Sequence, residues 1–172
     1  LSDNTETEFI ARHAALAASY PASFDSIQPM VKQVLAELKI SSAGLVMKDG
    51  SGLSQLNRVT PKLVAQLMAK VATSEEYLGN MEGMLPVAGR TGTLAGRFTG
   101  YNAVARGFVK AKSGYIPGLY SLAGIIDSKD GGRIAFAIFA RSGDGKSVSY
   151  LARPALDSVA AKFYRCGLGL TL

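Results

Sequence analysis

The sequence predicts an α+β domain in which helices come first, an antiparallel three-strand meander follows and a last helix covers it. Three observations predict this. Apolar residues recur at spacings of three and four through the first 75 residues. Three strand-like runs then appear close together: Phe108–Ile116, Tyr120–Asp127 and Arg133–Arg141. The helical spacing returns from Val148 to Arg165.

The first helix is expected over Thr5–Tyr20, with Phe9, Ile10, His13, Leu16 and Ala17 on one face. Asp3 or Asn4 would cap it, Glu6 and Glu8 suit its first turn, and Pro21 stops it. His13, on or beside that face, reads as structural. A second helix runs from about Ser26 to Lys39 through Ile27, Met30, Val31, Val34, Leu35 and Leu38. Ser41–Val46 is a short strand or turn, and Asp49-Gly-Ser-Gly-Leu-Ser54 a tight loop. Thr60-Pro61 starts the third helix, with threonine as cap and proline at the first position, and it runs to about Thr73. A shorter helix is expected over Ser74–Asn80, and glycine-rich loops over Met84–Gly107. Pro117-Gly118 and Lys129-Asp-Gly-Gly132 separate the strands, and the second is a hairpin signal. The closing helix presents Leu151, Leu156, Val159, Ala160 and Phe163 on one face, with Pro154 marking its first turn.

Composition excludes several classes. A chain of 172 residues, 48% hydrophobic and 19% charged, is not a disordered polar chain. At this length about 70% of the unfolded surface is buried on folding, enough for one core. The longest apolar run, Ile134–Ala140, falls far below the roughly 18 residues of a membrane-spanning helix. The net charge of +6 comes from scattered lysines and arginines. No basic run interleaves with aromatics, so a nucleic-acid partner is the weak reading and a mildly basic surface the plain one. One cysteine, Cys166, and one histidine, His13, leave no disulfide framework, no metal site and little for a Ser-His-Asp triad. No cofactor is implied.

Two tripeptides carry chemistry. Ser2-Asp3-Asn4 stands immediately before the first helix, and Lys112-Ser113-Gly114 lies inside the first strand of the meander. A serine and an asparagine two apart at a helix start can point a hydroxyl and an amide into one cleft, the first relaying a proton, the second holding a carbonyl or orienting a lysine. On a strand, Lys112 and Gly114 share a face. The ammonium and the Ser113 hydroxyl together can grip a carboxylate, and a glycine lets a substrate backbone lie against the strand as an added edge strand. The Tyr115 N–H is then free to donate to an oxyanion. The plainer readings are a helix cap for the first motif and a solvated edge-strand lysine for the second. By chance alone, a Ser-x-Asn occurs in roughly half of chains this long and a Lys-[Ser/Thr]-Gly in about one in ten. Their order and contexts raise both above that level. Arg90-Thr91-Gly92 imitates the second motif but has no strand around it.

Ser-x-x-Lys, Ser-Asp-Asn and Lys-Thr-Gly together are the signature of penicillin-binding proteins and class A β-lactamases. Asp49-Gly-Ser-Gly-Leu-Ser-Gln-Leu-Asn-Arg-Val-Thr-Pro61 resembles a segment of the penicillin-binding protein 4 type of D-Ala-D-Ala carboxypeptidases. So do Met84-Leu-Pro-Val-Ala-Gly89, Gly92-Thr-Leu94, Val109-Lys-Ala-Lys-Ser-Gly114 and Ser121-Leu-Ala-Gly-Ile125. The resemblance covers nearly the whole chain, and its glycine-serine segment favours this family over the β-lactamases. It implies a penicillin-binding/β-lactamase-like fold and a penicillin-sensitive serine DD-peptidase of the bacterial cell envelope. Such an enzyme acts on peptidoglycan stem peptides through an acyl-enzyme and is acylated by β-lactam antibiotics; endopeptidase activity beside carboxypeptidase activity stays open. By position, the resemblance makes Ser2 the proton relay, Asn4 a contact of the substrate amide and of the nucleophile's lysine, and Lys112 with Ser113 the holders of the terminal carboxylate. Gly114 keeps the strand open, the Tyr115 N–H is half of the oxyanion hole, and Leu53 and Ile116 line an apolar wall.

The sequence departs from the pattern twice. Ser113 and Tyr115-Ile116 replace the usual Thr and Thr-Leu, which keeps a hydroxyl and a backbone N–H at the needed places. No Ser-x-x-Lys occurs among the 172 residues; Ser158-Val-Ala-Ala-Lys162 has one residue too many. The expectation is therefore that residues 1–172 are the C-terminal part of the catalytic domain. An N-terminal fragment of the same protein would carry the nucleophile and pack on the first helix, and this chain alone would be inactive. The rival is a nucleophile-less peptidoglycan-binding or scaffolding module of the same fold.

Overall fold

The computed structural model describes residues 2–75, 77–143 and 149–169. Its elements follow the expected order: α1 (Asn4–Ala17), α2 (Phe24–Glu37), α3 (Pro61–Thr73), α4 (Tyr77–Met84), β1 (Val109–Ile116), β2 (Leu119–Asp127), β3 (Arg133–Arg141) and α5 (Ser149–Cys166). The chain divides into two compact units, residues 1–63 and 64–172.

In the first unit Asp3 is the cap of α1, its carboxylate accepting from the Glu6 N–H at 3.0 Å. The face of α1 that is buried is not the one the spacing suggests. Ala15 is fully buried, whereas Phe9, Ile10 and Leu16 are 55%, 68% and 52% exposed and His13 is exposed with them. In α2 the expected Ile27, Met30 and Leu35 are buried, and Pro29 sits inside the helix. The segment Ser41–Val46 contributes one antiparallel bridge, Val46 to Arg58, which closes the glycine-serine loop at its base. Thr60 caps α3, its hydroxyl accepting from the Leu63 N–H at 3.1 Å.

The second unit is built on an antiparallel sheet in the order β1-β2-β3. Pro117-Gly118 joins β1 to β2 with Gly118 at φ +77°, the left-handed value that the second position of a type II turn requires. Strand alternation sends Val109, Ala111, Tyr120, Leu122, Ile126 and Phe136 to one face. There they form a core with Ala152, Leu156, Ala160 and Ala161 of α5 and with Leu94, Phe98 and Ala105 of the long connection. The closing helix buries Leu156 and Ala160 of its expected face, with Phe163 packed beside them, but Leu151 and Val159 are 58% and 39% exposed, and the small Ala152 and Ala161 are buried in addition. Pro154 lies one turn further in than expected, and the expected start at Val148 lies outside the described residues. The fourth helix begins three residues later than the spacing suggests.

The glycine-rich connection is more ordered than its composition suggests. It forms 3-10 turns at Gly92–Leu94 and Gly100–Ala105 and places Leu94, Phe98 and Ala105 at 0% exposure. Asp157 of α5 holds it from below, with Arg97 Nη2 to Oδ1 at 2.6 Å and the Phe98 N–H to Oδ2 at 3.2 Å.

Candidate active site

The expected site residues fall into two sets. Ser2, Asn4 and Leu53 belong to the first unit, and Lys112 through Ile116 to the second.

In the first set, helix capping and chemistry do not compete for the same side chain. Asp3 takes the cap, and its carbonyl accepts from the Thr7 hydroxyl at 2.7 Å. Ser2 and Asn4 are exposed, and neither side chain has a hydrogen-bond partner among the described residues. Leu53, 54% exposed, rides on the loop of residues 49–54. Two carboxylates organise that loop by accepting from its backbone amides, a concave arrangement suited to anions. Asp49 accepts from the Gly52 N–H at 2.9 Å, the Ser54 N–H at 2.6 Å and Asn57 Nδ2 at 2.7 Å. Glu8 of α1 accepts from the Gly50 and Ser51 N–H groups at 3.1 and 2.9 Å. Burial pushes the Glu8 carboxyl up, but hydrogen bonds from Ser51 and Gly50 outweigh it and hold the pKa below 4.5. Gly50 must be glycine, because a Cβ there would stand 2.5 Å from the Ala11 Cβ. The bracing roles of Glu8, Asp49 and Asn57 were not anticipated; the dense Asp/Ser/Asn/Gly composition was the available signal.

The second set lies where one edge of the sheet changes character. Over its first half, β1 is covered by the connection: the Ala88 N–H donates to the Val109 carbonyl and the Ala111 N–H to the Pro86 carbonyl, both at 2.9 Å. Alternate residues point their backbone groups to this edge, so Ser113 and Tyr115 follow Ala111 in facing it. Among the described residues no strand pairs with β1 there beyond Ala111. The open half of the edge therefore begins at Lys112-Ser113-Gly114.

The two lysines of β1 have opposite surroundings. Lys110 is neutralised by Glu82 at 2.7 Å and Asp127 at 3.5 Å, and Arg133 closes the same cluster. Lys112 has no carboxylate partner among the described residues. Its Nζ donates to the Ser113 carbonyl at 2.7 Å, on the open edge, and partial burial pushes its pKa below 10.5. Ser113 Oγ donates to the Thr93 hydroxyl at 3.0 Å. Gly114 stands opposite Ser121 in the ladder, and a Cβ at Gly114 would overlap the Ser121 hydroxyl. The Tyr115 ring packs against Tyr120 with centroids 4.7 Å apart, while Ile116 is half-buried at the turn. An ammonium without a carboxylate partner among the described residues, a hydroxyl and outward backbone groups along an open strand can hold an extended peptide that ends in a carboxylate. Arg90-Thr91-Gly92, the imitation, stands in the covering connection and enters a 3-10 turn.

Comparison with known proteins places this geometry. The model of the D-Ala-D-Ala carboxypeptidase 3 (S13) family matches residues 1–163. The chain is 33% identical over 171 residues to the carboxypeptidase DacB of Mycolicibacterium smegmatis, covering 98% of this chain and 36% of that protein. It is 36% identical over 141 residues to the D-alanyl-D-alanine carboxypeptidase DacB of Haemophilus influenzae, covering 80% of this chain and 29% of the relative. Its fold superimposes on the crystal structure of penicillin binding protein 4 from Haemophilus influenzae in complex with a β-lactam, with a TM-score of 0.82 and 28% identity over 95% of this chain and 39% of that one. A predatory endopeptidase from Bdellovibrio bacteriovorus shares the fold at a TM-score of 0.61 and 21% identity. The chain thus spans between 29% and 39% of the length of these relatives. The family model over residues 1–163 and the identity to these relatives show that the chain belongs to the D-Ala-D-Ala carboxypeptidase 3 (S13) family.

Proposed function

We propose that this chain is the C-terminal part of the catalytic domain of a penicillin-sensitive serine D-Ala-D-Ala carboxypeptidase of the bacterial cell envelope, with a Ser-x-x-Lys in a part upstream of it. The observation that carries the reading is the open half of β1, where Lys112 has no acidic partner among the described residues and Ser113 presents a hydroxyl. Lys112 Nζ and the Ser113 hydroxyl hold the carboxylate of the terminal D-Ala of a peptidoglycan stem peptide. Gly114 lets the peptide lie close to the strand. The upstream serine oxygen attacks the carbonyl of the preceding D-Ala, and the Tyr115 N–H donates to the oxygen that becomes negative. The C–N bond then breaks. Ser2 passes a proton to the departing amine, Asn4 holds the substrate amide and the upstream lysine, and Leu53 and Ile116 wall the site. Water hydrolyses the ester, releasing the shortened peptide and regenerating the serine. A β-lactam presents the same carboxylate and an amide in a strained ring, so it acylates the same serine. The name of the Haemophilus influenzae relative and the β-lactam in its solved homologue support this substrate class. The exposed apolar face of α1, with Phe9, Ile10 and Leu16, supports an upstream fragment as its partner.

The test is intact-mass spectrometry of the protein carrying this chain and its upstream part, before and after benzylpenicillin. A penicilloyl adduct on an upstream serine is the expected result. An adduct on residues 1–172 would mean that the nucleophile is misassigned. No adduct on a folded protein would favour the peptidoglycan-binding module without a nucleophile.

A further inference from the structure

Gly92-Thr93-Leu94 is a motif that the proposed function leaves without a role, yet it meets the carboxylate grip directly. We propose that Thr93 is a positioning residue for Ser113, a reading that rests on the assignment of Lys112 and Ser113 to the substrate carboxylate. The segment is held firmly. Leu94 is 0% exposed, its carbonyl accepts from the Gly89 N–H at 2.9 Å, and the Thr91 hydroxyl accepts from the Val87 N–H at 2.9 Å. Gly92 takes φ +54° with Pro86 beneath it, where a Cβ would come to 3.1 Å from the ring. This left-handed turn brings the Thr93 hydroxyl to 3.0 Å from Ser113 Oγ, at the point where the covered edge of β1 gives way to the open one.

A serine hydroxyl has one proton. With no ligand bound, Ser113 donates it to Thr93, and the Thr93 proton has no acceptor among the described residues. To grip a carboxylate, Ser113 must turn its proton outward. Thr93 can then turn its own proton into the Ser113 oxygen, so the pair reverses direction without losing its hydrogen bond. A hydroxyl that accepts one hydrogen bond is polarised into a better donor for the next. Thr93 thereby fixes the rotamer of Ser113 in the free protein and strengthens its donation in the complex. Both effects act on carboxylate binding, and neither acts on the bond-making step.

The experiment uses the protein that carries this chain with its upstream part, and a chromogenic cephalosporin with a free carboxylate. Stopped-flow acylation separates the dissociation constant of the first complex from the rate constant of acylation. Thr93→Val keeps the shape and removes the hydroxyl. It should raise the dissociation constant about fivefold, the loss of one neutral hydrogen bond, with the acylation rate constant within about twofold. Thr93→Ser should restore wild-type binding. Thr93→Ala should behave as the valine variant and serves in its place if valine disturbs the turn; Thr93 is exposed. A dissociation constant unchanged in Thr93→Val and Thr93→Ala, or not restored by serine, overturns the positioning role while leaving the carboxypeptidase reading intact. A wild-type protein that is folded but not acylated overturns both.

Discussion

Gly114→Ala separates what the open strand needs for stability from what it needs for binding. A Cβ at position 114 would overlap the hydroxyl of Ser121, its ladder partner. The obstacle is the tip of a small side chain, so relief requires only rotation of Ser121 to another rotamer. Crowding of this kind costs at the low end of the overpacking range, about 1 kcal/mol, and a domain of this size loses about 2–4 °C of Tm per kcal/mol. Ser121→Ala deletes the obstructing oxygen. The double variant Gly114→Ala/Ser121→Ala should therefore recover most of the lost Tm. If a substrate backbone lies against Gly114, the added methyl group stays in its path, and acylation by benzylpenicillin should remain depressed at least tenfold in the double variant. Paired thermal melts and acylation rates on the four proteins of this cycle decide the matter. Recovery of acylation together with Tm would refute the close approach and leave Gly114 with a packing role only.

Three further outcomes follow from the two units. Because burial sets the Lys112 pKa below 10.5 and only the ammonium attracts a carboxylate, acylation should fall as pH rises through that lowered value. Lys112→Arg, which keeps its charge, should remove this alkaline limb from the pH–rate profile even where it slows the reaction; a limb unchanged in the arginine variant would assign it to another group. Asp157→Ala leaves Arg97 and the Phe98 N–H without their acceptor, and a broken buried pair costs about 3–5 kcal/mol. A chemical denaturation midpoint close to wild type would show that the connection does not depend on this anchor. Glu8→Gln should cost about 1 kcal/mol at neutral pH, a charged hydrogen bond discounted for its partial exposure. The Glu8 pKa is lowered in the fold, so its stabilisation is present above 4.5 and lost as pH falls through the folded value. The Tm difference between the two proteins should accordingly shrink with acidification, and a constant difference would contradict this origin.

The sheet was legible because its signals are local. Three apolar runs broken by Pro117-Gly118 and Gly131-Gly132 leave little choice of register, and the observed strands agree with the expected ones to within a residue. Helix faces were less legible, since spacing identifies an apolar stripe without saying which stripe this chain covers. In α1 the buried residue is Ala15 and the large apolar residues stay exposed; in α5 the expected Leu156 and Ala160 are buried, but the small Ala152 and Ala161 are buried in place of Leu151 and Val159. The site motifs were found as tripeptides, but their supports were not. The contact of Thr93 with Ser113 spans 20 positions and that of Glu8 with Gly50 spans 42. No periodicity encodes such pairs.

The covering of β1 gives its two lysines different surroundings, and the proposed substrate role of Lys112 rests on that difference. Both are lysines on one face of one strand, two residues apart. Pro86 and Ala88 occupy the edge as far as Ala111, and the same end of the sheet gathers Glu82, Asp127 and Arg133 around Lys110. That cluster raises the Lys110 pKa, first through its hydrogen bond to Glu82, and commits the ammonium to internal partners. One pleat further on, the edge is open, and among the described residues Lys112 has no carboxylate partner and holds the Ser113 carbonyl. A carbonyl competes weakly with a carboxylate for an ammonium, and exchanging one for the other needs only rotation of the side chain. The point where the connection leaves the strand thus separates a lysine committed to internal acids from one that holds a backbone carbonyl alone among the described residues.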